Sequence, residues 1–161
     1  MRGGVVPPAL LFVALGLALA FAPRRAWAPS LLALFATLAA FAFLPVPQVW
    51  LEWIFLGCWT SVIVTAASVH LVRGLNTCAA VALSLNTAAW ASAVVCLSGS
   101  RLDLLKALPW VLIFFPASWL VGRHASIAVK VASSWVIAIA VLAATLQMLP
   151  VTPGYLPDHL E

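Results

Sequence analysis

Apolar residues run through this chain in long, nearly unbroken stretches, interrupted at intervals by proline, glycine and arginine. Six such stretches stand out, at residues 5–22, 29–44, 49–72, 75–97, 102–121 and 125–149. Several reach the roughly 18–20 residues a helix needs to cross a hydrocarbon core of about 30 Å. Strands of a membrane barrel would instead alternate apolar and polar positions over about ten residues. These runs are continuous and rich in Ala and Leu, and within such a run only a helix satisfies every backbone group internally. The pattern predicts an all-α fold: a polytopic transmembrane helix bundle of six spans filling residues 1–149 as a single integral membrane domain, with a polar, proline-rich tail at 150–161.

The breaks between stretches carry their own signals. Pro7 and Pro8 fall in a first turn, where backbone donors lack an intrahelical partner anyway. Pro23 ends the first stretch, Arg24-Arg25-Ala26-Trp27 forms a turn, and Pro45 and Pro47 close the second. Both are short, so spanning would require local thinning of the bilayer or snorkelling. Trp50, Glu52 and Trp53 open the third as an interfacial belt, and Pro116, inside the fifth, predicts a kink. A rival reading makes the first stretch a cleaved signal peptide, with Arg2 as a weak basic region and Ala26-Trp27-Ala28 as the cleavage site. The length of the run and Pro29 directly after the site argue against it.

Composition agrees with lipid as the main solvent. The chain is 65% hydrophobic and 7% charged, where soluble domains carry about 25% charged residues. The net charge of +4 does not point to nucleic acid, because the basic residues are scattered between apolar runs rather than massed on one face. With six spans, Arg24, Arg25, Arg73, Arg123 and Lys130 fall on one side. Arg2, Arg101, Lys106 and all the acidic residues fall on the other. The excess of Lys and Arg makes the first side cytoplasmic. The expected location is a bacterial-type inner (plasma) membrane with both termini outside. Cys58, Cys78 and Cys96 lie inside apolar runs without CxxC spacing. The depth mismatch of Cys58 and Cys96 argues against a disulfide between them.

Against this apolar background three stretches carry rows of small and weakly polar residues. Gly57, Ser61, Thr65 and Ser68 form one row. Asn76, Thr77, Ala80, Ser84, Thr87 and Ala91 form a second, and Ser126, Lys130, Ser133 and Ser134 a third. Each falls within an arc of roughly 80–100° on a helix. The short link Arg73-Gly74 makes the third and fourth stretches antiparallel neighbours whose rows are expected to face each other, with the sixth completing the set. Such rows let backbones approach closely, and their hydrogen bonds average about 0.6 kcal/mol, so packing alone accounts for them. The sharper reading is a polar path or cleft along Ser61, Thr65, Ser84, Asn86 and Thr87. Asn86 falls near mid-membrane and off the main row, and its carboxamide needs a partner there. No Asp or Glu occupies the middle of any stretch, which weighs against a proton- or sodium-coupled transporter.

The basic side supplies a second candidate. Arg24, Arg25, His70, Arg73, Arg123, His124 and Lys130 form a rim suited to anionic lipid headgroups. A sharper version has Arg73 and Arg123 gripping a phosphoryl group, with a histidine as acid or base. Ordinary anchoring explains the same residues. Expected cofactors and metal ligands are none: the histidines do not group, and no nucleotide-binding, haem-attachment, HExxH or GxSxG motif occurs. The leading expectation is therefore a non-catalytic subunit or accessory factor of a membrane complex. It would touch membrane lipids and other membrane helices, of its own kind or another. A small transporter or channel-like oligomer is the first alternative. An enzyme or flippase acting on a phosphorylated lipid is the second.

Overall fold

A computed structural model describes residues 5–41, 47–71, 74–98 and 101–148, and all its regular elements are helices. They are α1 (Val6–Leu19), α2 (Arg24–Phe41), α3 (Leu51–Ala67), α4 (Thr77–Ser98), α5 (Arg101–Ala107), α6 (Phe114–Gly122) and α7 (Ser126–Met148). Short 3-10 segments lead into α3 (Gln48–Trp50), prolong it (Ser68–His70) and join α5 to α6 (Leu108–Ile113). By length and composition, four stretches are able to cross a membrane: Leu51–His70, Thr77–Leu97, Leu102–Gly122 and Ser126–Met148.

The remaining two helices differ from what the apolar pattern predicts. α1 has 14 residues, a rise of only ~21 Å. α2 begins at Arg24 rather than near residue 29, so both arginines lie in its first turn and Pro29 sits inside the helix. The expected kink at Pro116 is also displaced. The fifth stretch is interrupted by the 3-10 segment that begins at Leu108, with Pro109 in its first positions. Pro116 then falls in the opening turn of α6, where a missing N–H costs little.

The bundle is built around α1. Leu11, Phe12, Leu15 and Leu19 are buried, as are Ala14 and Ala18 between them. A helix apolar on every side has no face to present to water and is stable only in lipid or enclosed by other helices. Here α3, α4 and the α5–α6 segment surround it. Gly16 allows the α5–α6 segment to come close: a Cβ there would overlap the Ile113 side chain and lie 2.8 Å from the Val111 carbonyl oxygen. The Trp27 indole caps the same corner, donating Nε1–H to the Leu19 carbonyl at 3.2 Å and meeting the Phe114 ring edge-on at 5.0 Å.

α2 packs along α4, with Ala26, Ser30, Leu34 and Leu38 as its buried row. α7 packs against α3, where the Ser133 hydroxyl donates to the Ala66 carbonyl at 2.6 Å. The outer faces of α6 and α7 expose Phe115, Trp119, Trp135, Leu142 and Leu146. Apolar surface on this scale marks contact with lipid or with another protein.

Chain direction sorts the helix ends into two groups. One end of the bundle collects the end of α1, the starts of α2 and α4, the end of α3 and the α6–α7 turn. Three close approaches tie it together: Gly74 against the Phe21 carbonyl, Trp27 on Leu19, and the Ser134 hydroxyl 3.5 Å from His70 Nε2. At the α6–α7 turn His124 has a φ of 62°. Its N–H reaches the Val121 carbonyl and that of Ala125 reaches Leu120, a Schellman closure with histidine where glycine is usual. Glu52 and Asp103, in the first turns of α3 and α5, lie at the opposite end.

Candidate functional site

The α3–α4 pair forms a lateral groove of about 590 Å³. Gly57, Thr60, Ser61 and Val64 line it from α3, and Ala79, Ala82, Leu83, Asn86 and Trp90 from α4. Ser68, Leu71 and Leu75 continue the lining toward the end of the bundle that bears the link between the helices. The walls are open, since Thr60, Val64 and Ala82 are exposed. The α4 positions recur at helical spacing, so one face of α4 supplies them all.

The floor of the groove is polar. The Asn86 amide Nδ2 donates to the Ser61 hydroxyl at 2.5 Å, and the Trp90 indole N–H donates to Asn86 Oδ1 at 3.1 Å. Ser61 lies about halfway along Leu51–His70, so this polar pair sits ~15 Å from either end of the span. Trp90 closes the groove by laying its ring over Gly57, where a Cβ would overlap the indole. A carboxamide has two N–H donors and an oxygen with two lone pairs. Among the described residues, Asn86 uses one N–H and accepts one bond, leaving a donor and a lone pair for the groove.

The five residues read from sequence as a path are therefore split. Ser61 and Asn86 meet on the groove. Thr65, Ser84 and Thr87 are fully buried away from it, and Ser84 donates to the Ala80 carbonyl of its own helix at 3.0 Å. The Thr65 and Thr87 hydroxyls are buried without a partner among the described residues. The expected facing of the α3 and α4 rows is corrected as well. The Ser84–Thr87–Ala91 row is the buried side of α4, and Asn86, off that row, is what faces Ser61. The physical reason is that α4 packs chiefly against α1, α2 and α3, and small residues suit such close approaches. Sequence reasoning missed Trp90 and the groove walls. The spacing Ala79, Leu83, Asn86, Trp90 was the available signal, overshadowed by the more polar row beside it.

Of the basic rim, the structure places Arg24, Arg25, His70, Arg123, His124 and Lys130 at one end of the bundle; Arg73 lies outside the described residues. They are not one cluster. The Arg123 guanidinium stacks 4.2 Å from the centroid of the Trp119 ring. His70 pairs across to Ser134 of α7, whose hydroxyl donates to the Lys130 carbonyl at 3.0 Å. Arg24 and Arg25 extend from the start of α2. Among the described residues no group of three His, Cys, Asp or Glu side chains is placed to hold a metal ion.

The fold and the groove together define a class: an all-helical protein with four helices able to cross a membrane and a polar-floored groove between two of them. Comparison of the chain with models of protein families, with curated proteins and with solved structures finds no match. Its geometry is what carries a functional reading.

Proposed function

We propose that this chain is a non-catalytic subunit or accessory factor of a complex in a bacterial-type inner membrane, and that it works by packing against the transmembrane helices of its partners. The observation that carries this reading is Asn86. A carboxamide held at mid-membrane depth in an open groove, with hydrogen-bonding capacity left over, is costly in hydrocarbon and is satisfied by a neighbouring helix. In support, the α3 and α4 hydroxyls that a polar conduit would need are spread over separate faces, with Thr65, Ser84 and Thr87 sealed in the core. Purification of the tagged protein in mild detergent tests the reading. The expected product is a stoichiometric complex with another membrane protein; a lone monomer under every mild condition, including nanodiscs taken directly from the membrane, overturns it.

We further place six passes through the bilayer, both termini outside and the arginine-bearing end in the cytoplasm. α2 supports this because it runs beside α4 to the far end, where the Cys96 thiol lies 3.9 Å from the Phe41 carbonyl. α1 is enclosed by helices long enough to cross. The cysteines supply the check. Cys78 and Cys96 are exposed near opposite ends of α4, and Cys58 is buried. A membrane-impermeant maleimide is expected to label Cys78 only from the cytoplasmic side and Cys96 only from the outside, leaving Cys58 unmodified. Labelling of both from the same side sinks this topology.

A further inference from the structure

The unused donor and lone pair of Asn86 also restrict what can occupy the groove. We infer that the α3–α4 groove seats a transmembrane helix of a different chain, one that presents a hydroxyl or carboxamide side chain (Ser, Thr, Asn or Gln) to Asn86 at mid-membrane depth. This rests on the subunit reading above and adds the place of contact and the chemistry of the partner.

Three occupants compete for such a groove, and depth separates them. A lipid acyl chain fits the apolar walls, but its polar groups lie at the headgroup level, about 15 Å from Asn86, and hydrocarbon satisfies neither an N–H nor a lone pair. A second copy presenting its own groove would set exposed wall against exposed wall at Thr60, Val64 and Ala82 and keep the two Asn86 floors apart, so it would have to offer one of its outer helices. Among the described residues, the outer faces of α6 and α7 carry Trp119, Trp135 and Leu142. Their hydroxyls Ser118 and Thr145 lie near the ends of the Leu102–Gly122 and Ser126–Met148 stretches and donate to the Phe115 and Leu142 carbonyls of their own helices. Ser134, exposed nearer the middle of α7, already donates its hydroxyl to the Lys130 carbonyl and meets His70, so neither helix offers an uncommitted polar group at mid-membrane depth. A helix of another chain with one polar residue at its centre meets the requirement.

The size of the groove agrees. A helix is about 10–12 Å across with its side chains, and 590 Å³ holds several side chains rather than a whole helix. The partner therefore lies along the opening and sends one row inward. Its polar residue meets Asn86. Residues a turn or two toward the arginine-bearing end pack between Val64 on one wall and Ala82 and Leu83 on the other. Trp90, braced over Gly57, blocks sliding in the opposite direction and so sets the register.

The test uses the purified full chain in phosphatidylcholine vesicles and a defined probe. The probe is a Leu/Ala model transmembrane peptide with one central Asn and a photoreactive residue beside it, compared with the same peptide bearing central Leu. Crosslinks from the Asn peptide are expected on Thr60, Val64 or Ala82, at roughly threefold or higher yield than from the Leu peptide. Asn86→Leu is expected to bring the two peptides to parity. Ala82→Phe, on an exposed wall, is expected to lower the yield from both while leaving the helical circular dichroism unchanged. Equal yields on the wild-type chain, an Asn preference that survives Asn86→Leu, or crosslinks mapping to α6 and α7 overturn the inference. So does crosslinking of the peptide to lipid alone, or exclusion of both peptides by self-association of the chain. If the groove fails in these ways while the detergent complex persists, the subunit reading stands without it; if the probe binds as expected and no complex is found, only the subunit reading falls.

Discussion

Gly16→Val is expected to cost the protein most of its folded population. The substitution places two methyl groups where α1 touches the segment joining α5 to α6. Even a Cβ would overlap Ile113 and approach the Val111 carbonyl oxygen to 2.8 Å. Ile113 can rotate; a backbone carbonyl cannot move without dragging the 3-10 segment with it. Replacing Gly in a helix gains up to about 1 kcal/mol from propensity, while overpacking a tight core costs about 1–3 kcal/mol and more when backbone is forced to shift. The clash therefore wins, and because α1 is enclosed by α3, α4 and α6 the damage spreads through the bundle. Gly16→Ala should show the same sign with a smaller loss. Gly122→Ala is the control, since nothing lies within 4 Å of a Cβ at Gly122. Unfolding in mixed micelles, followed by circular dichroism, measures all three. A Gly16→Val protein that unfolds together with wild type would show that α1 is not packed as described.

The second large effect is a reversal of sign between Gly57 and Trp90. In the wild-type background Gly57→Ala is expected to destabilise by about 1–2 kcal/mol. The new methyl displaces the indole ring and with it the bond to Asn86, and this outweighs the propensity gain. In a Trp90→Ala background the collision is gone. The same Gly57→Ala change should then stabilise α3 by up to about 1 kcal/mol. A double-mutant cycle reports the difference as a coupling of about 2 kcal/mol, well above the few tenths seen for independent sites. Additive effects would mean that the ring does not lie over Gly57 in the membrane, and the closed end of the groove would have to be redrawn.

These two glycines show how unevenly the structure could be read in the sequence. Gly57 stood out as the first member of a row of small residues, and its role as a point of close approach follows from that row. Gly16 sits in a run that reads equally well as a plain membrane span. Nothing in Val-Ala-Leu-Gly-Leu-Ala distinguishes a lipid-facing helix from one enclosed by other helices, because both surroundings are apolar. For the same reason the stretch from Gly57 to Ser92, the most patterned in the chain, holds the groove but is not the centre of the bundle. The rows of Ser, Thr and Ala on α4 were visible as rows; which neighbour each would meet was not. Helical periodicity gives the angle between Ser84, Asn86 and Thr87 and leaves the zero of that angle free. The neighbours α1, α2 and α3 set it, turning Asn86 toward Ser61 and the hydroxyl row inward.

By itself the sequence determined the helical class, the apolar stretches able to cross a membrane and the distribution of charge. These depend on counts and runs: long apolar stretches admit only helices in lipid, and basic residues gather at the breaks. Tertiary structure decided which helix became the core, where the fifth stretch bends, and which polar residue meets which. Those outcomes depend on contacts between segments distant along the chain, where differences of one methyl group at Gly16 or Gly57 select the packing partner, and no local pattern of hydropathy records them.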